Sequence, residues 1–372
     1  MKKVLAFMLA AMMMASMAVG CGNDGSTSSA DAGTPTDTSS AEATDGEEPA
    51  EEPAADASDV SIGSCVYKFD DTFMTGVRNT MTARAAELGA TIDIVDSQNK
   101  QPTQNEQVDT FITKGVNALI VNPVDLTAAG PIITKAKDAG LPIVLQNRQP
   151  SEEDMNSYDQ AWYVGCKAEQ SGTMSGEIIA DYFTANPDAD KNGDGTIQYV
   201  MLQGEPGHQD ATLRSEYAPK AIEEAGFKVE QLAADTAMWD KVKATDLMAA
   251  FISSQSPDKI EAVLCNNDDM ALGAIEALKA EGYNSGDASK YIPVVGVDAT
   301  APALEAMKEG SLLGTVLNDA TSQGNASVNI AVAAAQGKEI TEENIGYPVT
   351  DDKYVWIDYV KVTQDNYQDY IS

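Results

Sequence analysis

From Val60 onward, apolar residues follow two rhythms that take turns along the chain. Residues 61–67 form a short apolar run that reads as a β-strand. Met74, Val77, Met81, Ala85 and Leu88 then recur at helical spacing, and Gly89 marks the end of that helix. Residues 91–95 alternate as a strand, and Val108, Phe111 and Ile112 mark a helix ending near Gly115. A buried strand at 118–121, a helix carrying Ile132, Ile133 and Ala136, and a strand at 142–145 follow. The rhythm then restarts, with helices predicted over 172–183, 211–225, 242–253, 270–280 and 302–309. Strands are predicted between them over 197–202, 228–232, 262–265, 294–297 and 315–317. Runs of β-branched residues separated by amphipathic helices predict α/β units with doubly wound parallel sheets. Two such units of similar size, facing each other, would enclose a cleft, and ligands of these sheets bind at the carboxyl ends of strands.

Polar side chains stand at those ends with unusual regularity. Asn122 follows the strand at 118–121, Asn267 the strand at 262–265, Asp298 the strand at 294–297 and Asn318 the strand at 315–317. Asp71 and Phe73 follow the first strand, and His208, Asp210 and Arg214 follow the one at 197–202. Any one of these reads most simply as the cap of the next helix. Their repetition at equivalent positions favours a polyhydroxyl ligand. A carboxylate accepts from hydroxyls, an amide both donates and accepts, and arginine donates. Phe73 and Trp239 are candidates for the apolar faces of a sugar ring, with a core role the alternative for Trp239.

A second motif points to a metal. Residues 190–195 read D-x-N-x-D-G, the first half of a calcium loop of the EF-hand type. Asp190, Asn192 and Asp194 would converge on one point, Gly195 permits the turn, Thr196 offers its carbonyl and Gln198 a side-chain oxygen. The twelfth position is Met201 instead of glutamate, and 196–202 reads as a strand. The segment is therefore expected to be a calcium loop outside an EF-hand with its last ligand supplied from elsewhere; a solvated turn is the alternative.

Composition narrows the function classes. The 372-residue chain is 43% hydrophobic, enough for one or two packed domains. Its formal net charge of -34 and pI near 4.1 argue against a nucleic-acid binder, because nothing could neutralise a row of phosphates. Lys2 and Lys3 precede an apolar run over 4–19, shorter than the roughly twenty residues of a membrane span. The run ends in A-V-G-C at 18–21, similar to the lipobox of bacterial lipoproteins, which implies a signal peptide over 1–20 and lipidation of Cys21. Residues 22–59 lack Lys and Arg and are rich in Gly, Ser, Thr, Ala, Pro, Asp and Glu, so an extended, disordered acidic tether is expected. Cys65, Cys166 and Cys265 form no C-x-x-C and His208 is the sole histidine, which argues against a zinc site. Cys65 and Cys265 read as small buried hydrophobes with free thiols.

Together these segments resemble the periplasmic galactose/glucose-binding proteins, solute receptors of ABC sugar importers. The resemblance runs from about Val60 to the end and rests on YKFDDTF at 67–73, DSQN at 96–99, GEPGH at 204–208, DTAMWD at 235–240, NND at 266–268, GVD at 296–298 and GTVLNDA at 314–320. It implies a type I periplasmic-binding-protein fold with two doubly wound lobes joined by a three-segment hinge. It implies sugar contacts at Asp71, Asn122, His208, Asp210, Arg214, Asn267, Asp298 and Asn318, with Phe73 and Trp239 stacking on the ring. It also implies a structural calcium ion held by Asp190, Asn192, Asp194, Thr196, Gln198 and Glu261. Crossings between lobes are expected near Pro142, near Asn318 and at 356–358, giving lobes of 60–142 with 319–355 and 143–318 with 356–372. The implied function is capture of galactose or glucose by hinge closure, outside the cytoplasmic membrane and without catalysis, by a lipid-anchored monomer that serves an ABC sugar permease. A sensory receptor docking on a chemoreceptor or sensor kinase shares that chemistry. A glycoside hydrolase using two of Asp71, Asp210 and Asp298 is the catalytic alternative.

Overall fold

The structure is a computed structural model and describes residues 59–371. The expected signal peptide, Cys21 and, apart from Asp59, the acidic tether lie outside the described residues. The first elements are β1 (Ser61–Val66), α1 (Thr72–Glu87), β2 (Thr91–Asp96), α2 (Gln101–Lys114), β3 (Ala118–Val121) and α3 (Ala129–Asp138). Next come β4 (Ile143–Gln146), α4 (Glu152–Asn156), β5 (Ala161–Gly165), α5 (Ala168–Ala185), β6 (Thr196–Gln203) and α6 (Gln209–Glu224). They are followed by β7 (Lys228–Thr236), α7 (Lys241–Gln255), β8 (Ala262–Cys265), α8 (Asp268–Ala280), β9 (Val294–Val295) and α9 (Ala301–Lys308). The chain closes with β10 (Thr315–Leu317), α10 (Ala320–Ala335), α11 (Glu342–Ile345), β11 (Tyr354–Trp356) and β12 (Val360–Val362).

Local chemistry explains the boundaries. Asp71 caps α1 by accepting from the Met74 N–H, and Met74, Val77, Met81 and Ala85 form its buried stripe. Gly115 ends α2 in the left-handed region at φ 70, where a side chain would be strained. All four residues of β3 are buried, as expected of a strand covered by helices on both faces.

Two sheets organise the molecule. The first has six parallel strands in the order β11-β5-β4-β3-β1-β2, and the second has the order β7-β6-β8-β9. A short antiparallel pair, β10 with β12, continues the second sheet through bridges Val295–Gly314 and Asp298–Leu317. Apolar clusters cover both faces of each sheet, so each lobe has its own core. Strand order reverses beside β1 in one lobe and beside β6 in the other. Such switch points open crevices at strand carboxyl ends.

The lobe boundary expected near Pro142 is corrected. β4 pairs with β3 (Leu119 opposite Ile143), and β5 pairs with β4, so the chain stays in the first lobe until Gly165. It returns after β10 to place α10 against α1 and to add β11 beside β5. It leaves again between Trp356 and Val360, where β12 joins β10. Elements β5, α10 and β11 carried no recognised sequence signal. Among the described residues, no helix is long and apolar enough to cross a membrane.

Candidate functional site

The facing strand ends enclose a pocket with about 350 Å³ of empty space. The first lobe lines it with Tyr67, Asp71, Phe73, Met74, Asn147 and Arg148. The second contributes His208, Asp210, Arg214, Trp239, Asn267 and Asp298, and Asn318 lines it at a crossing. Every residue expected to touch the ligand is therefore brought to this pocket, with the exception of Asn122. The Asn122 amide accepts from Tyr67 N–H at 3.2 Å and donates to the Gln146 carbonyl at 3.0 Å. It stands behind the wall and braces Tyr67 against β4.

Capping and pocket lining are combined in the same side chains. Asp71 spends Oδ1 on the Met74 N–H at 2.7 Å and accepts the Tyr67 hydroxyl on Oδ2. Asn267 caps α8 through the Met270 N–H at 3.0 Å. His208 caps α6 by accepting the Asp210 N–H on Nδ1 at 3.1 Å. That bond leaves Nδ1 without a proton, so the neutral ring carries its proton on Nε2 as a donor. Burial, reinforced by Arg148 and Arg214, holds the imidazole well below its ordinary pKa.

Arg214 is the polar centre of the second lobe. Its guanidinium donates to Ser171 Oγ at 3.0 Å, the Asn266 carbonyl at 2.8 Å, Tyr359 Oη at 2.9 Å and Asp210 Oδ2 at 3.0 Å. Burial pushes the Asp210 carboxyl above its ordinary range, and Arg214 pulls it back. Asp298 is raised further, again by burial first, while Asn318 donates to it at 3.1 Å. Asp268 behind it is lifted to about 6 by burial and accepts Thr315 Oγ1 at 2.6 Å.

Two aromatic rings bound the pocket from opposite lobes, Phe73 from the first and Trp239 from the second. Trp239 meets His208 edge-on, with centroids 5.1 Å apart and planes at 75°. Gly204 lies flat against the indole, and a Cβ there would overlap the six-membered ring. Non-glycine residues in the left-handed region gather here: Asn147 (φ 63), Met238 (φ 57), Trp239 (φ 60) and Asp298 (φ 125). Each such conformation costs on the order of 1–3 kcal/mol, which surrounding structure must offset.

Tyr67, Asn147, Arg148 and Tyr359 were not anticipated. Asn147 and Arg148 follow the carboxyl end of β4, the same kind of position that the other site residues occupy. Arg148 is 5% exposed, stacks its guanidinium 4.1 Å from the Tyr67 ring centroid, and has an Nε without a protein partner.

The D-x-N-x-D-G segment forms the turn into β6. Asp190 accepts from Gly193 N–H at 2.7 Å and Gly195 N–H at 2.8 Å, and Asp194 accepts from Thr196 N–H at 2.8 Å. Glu261 reaches it from the start of β8, accepting from Lys191 N–H at 2.6 Å and Gln198 N–H at 3.1 Å. The Asn192 amide points its nitrogen at Asp194 (3.0 Å) and Gln198 (3.4 Å). Among the described residues, no three His, Cys, Asp or Glu side chains are grouped closely enough to hold a metal ion. Cys65 and Cys265 are buried, and Cys65, Cys166 and Cys265 all carry free thiols.

Comparison with known proteins adds sequence to this geometry. The profile described as "Periplasmic binding protein domain" matches residues 62–339. The D-galactose/methyl-galactoside binding periplasmic protein MglB of Haemophilus influenzae is 44% identical over 320 residues, covering 86% of this chain and 94% of that protein. A putative rhizopine-binding protein of Rhizobium meliloti is 34% identical over 290 residues, covering 77% of this chain and 88% of its own. The crystal structure of an ABC transporter solute binding protein from Bacillus halodurans with bound myo-inositol superposes with a TM-score of 0.70 at 35% identity, covering 84% and 97% of the two chains.

Proposed function

The chain belongs to the periplasmic binding protein domain family, and from that premise we propose that it captures D-galactose or D-glucose between its lobes and delivers it to an ABC importer. It is a receptor and not an enzyme, as are the proteins it matches. The observation that carries the proposal is the pocket itself. Carboxylates, amides, a histidine and two guanidiniums converge from both lobes between Phe73 and Trp239. That set suits a ring with hydroxyls around its edge and C–H groups on its faces. Asp71 Oδ2 and the unpartnered Arg148 Nε provide an acceptor and a donor from the first lobe. The Nε2–H of His208, Asp210 and Asp298 face them from the second.

Closure of the lobes would remove the sugar from water and strengthen each of these bonds. The test is calorimetric titration of the purified protein with a panel of hexoses, pentoses and myo-inositol. Saturable binding of galactose or glucose in preference to the others supports the reading. Preference for myo-inositol or a pentose would assign the receptor a different ligand.

The loop at 190–198 fits a calcium ion in its chemistry. Asp190, Asn192, Asp194, Gln198 and Glu261 supply side-chain oxygens, Thr196 a carbonyl, and hard oxygen donors are what calcium takes. Turning over the Asn192 and Gln198 amides, whose oxygen and nitrogen are interchangeable assignments, would aim more oxygen inward. A bound ion would tie the turn before β6 to the start of β8, and so stabilise the second lobe without touching sugar. Chelation is expected to lower the melting temperature by on the order of 5 °C, from about 2.7 kcal/mol of linkage at a hundredfold excess of calcium over Kd. Glu261→Gln should abolish that difference; melting that is indifferent to calcium and chelator would end the assignment.

Membrane attachment through Cys21 and docking on a chemoreceptor or sensor kinase extend the same reading. Loss of palmitate labelling in Cys21→Ser cells would support the anchor, and equal labelling would refute it. Sugar-dependent capture on a sensor ectodomain, but not on the permease, would make sensing the main role.

A further inference from the structure

Building on the receptor reading, we propose that Glu205 is a cross-lobe latch that positions Arg148 in the pocket wall and sets how long the closed form lasts. Glu205 sits in the loop after β6, in the second lobe. Its carboxylate accepts from two first-lobe side chains, Arg148 Nη2 at 2.9 Å and Asn99 Nδ2 at 3.1 Å. Arg148 follows β4 and Asn99 follows β2, so one carboxylate grips two separate strand ends of the opposite sheet. The Arg148 and Glu205 side chains are 5% and 12% exposed, so the pair is shielded from salt and solvent.

Arg148 is held on its other sides by first-lobe groups alone. Its Nη1 donates to the Val124 carbonyl, and its plane lies over Tyr67. Among the described residues, Glu205 is the second-lobe group that its guanidinium meets. Opening the hinge would therefore break the Glu205 bonds and leave the rest of the Arg148 environment in place. The same loop carries Gly204, pressed on Trp239, and His208. Latching and the shape of the sugar wall are thus coupled through one short segment.

A latch made only after closure acts on escape and not on encounter. Its removal should raise koff and leave kon unchanged. The experiment is stopped-flow binding of D-galactose and D-glucose to wild type, Glu205→Gln, Glu205→Ala and Asn99→Ala, with X-ray scattering of each with and without sugar. Glu205→Ala is expected to raise koff at least tenfold with kon within twofold. Glu205→Gln, which keeps one acceptor oxygen and replaces the other with a donor amide nitrogen, should fall between it and wild type. Asn99→Ala removes only the outer arm at an exposed position, and should raise koff about two- to threefold even if Glu205→Ala folds poorly. The melting temperature without sugar should be unchanged in Glu205→Gln, and lowered modestly in Asn99→Ala because Asn99 sits in the left-handed region at φ 51. Wild type that compacts with sugar while Glu205→Ala and Asn99→Ala dissociate at the wild-type rate overturns the latch alone. Wild type that neither binds nor compacts with either hexose overturns the receptor reading and the latch with it.

Discussion

Asp210→Ala is expected to weaken galactose or glucose binding by roughly two to five kcal/mol, a loss of about thirtyfold to several thousandfold. Asp210 contributes to binding in two ways. In the proposed reading it offers the sugar a buried acceptor, and it balances the charge of Arg214, whose side chain is 5% exposed. Without the carboxylate, Arg214 keeps neutral partners in Ser171, the Asn266 carbonyl and Tyr359, but loses its ion pair. Asp298 is a further carboxylate whose charge acts on Arg214, but it already lines the pocket and is itself pushed toward the neutral acid by burial. The guanidinium would be drawn toward that carboxylate and distort the site. Breaking one half of a buried pair also destabilises the fold, typically by about 3–5 kcal/mol. Calorimetry and melting of the sugar-free variant separate the two effects. Asp210→Asn keeps the shape and should restore part of the stability but little of the affinity. Affinity within twofold of wild type in Asp210→Ala would remove this carboxylate from the site.

Trp239→Ala carries the second large effect, an affinity loss of at least about 2 kcal/mol, or roughly thirtyfold. The indole is 7% exposed and belongs to the apolar core of the second lobe as well as to the pocket. Truncation would leave a hollow between Gly204 and His208, and a fold destabilisation of about 3–5 kcal/mol is expected alongside. The core and stacking roles are alternatives in the sequence; the indole packs in the core and also lines the pocket, a position compatible with both. Trp239→Phe retains an aromatic face and should recover most of the stability. Its affinity then measures what the larger ring adds. Unchanged sugar affinity in Trp239→Ala, in a variant shown to be folded, would contradict a stacking role.

Much of the architecture was legible because parallel strands buried on both faces are nearly continuous apolar runs. β3 and β8 are read to the residue for that reason. What was not legible is which strand pairs with which. β4 looks the same whether it belongs to the first sheet or opens the second, and hydrogen bonding to β3 decides it. α10 escaped notice because it is buried on most of its circumference, from Gly324 and Ala326 through Ile330 to Ala333, and so lacks a polar face to set its period. Asn122 shows the limit of reading strand ends as ligand contacts. It follows a strand end at the right crevice, yet its amide bonds to groups of its own lobe, the Tyr67 and Gln146 backbone and the Asn147 side chain.

The crossings of the chain between lobes also bear on the order in which the molecule can be completed. β11 adds the last strand to the first sheet, and β12 adds the last strand beside β10 in the second. Both come after every helix of eight or more residues. A chain still emerging from a ribosome therefore has neither sheet whole, however much of its sequence is already exposed. The pairing of β11 with β5 joins Tyr354 to Tyr163, and such long-range pairings form slowly. Native closure is thereby postponed until synthesis of the described domain is nearly finished, so the polypeptide passes through a long interval in which it is still pliable enough to be threaded elsewhere.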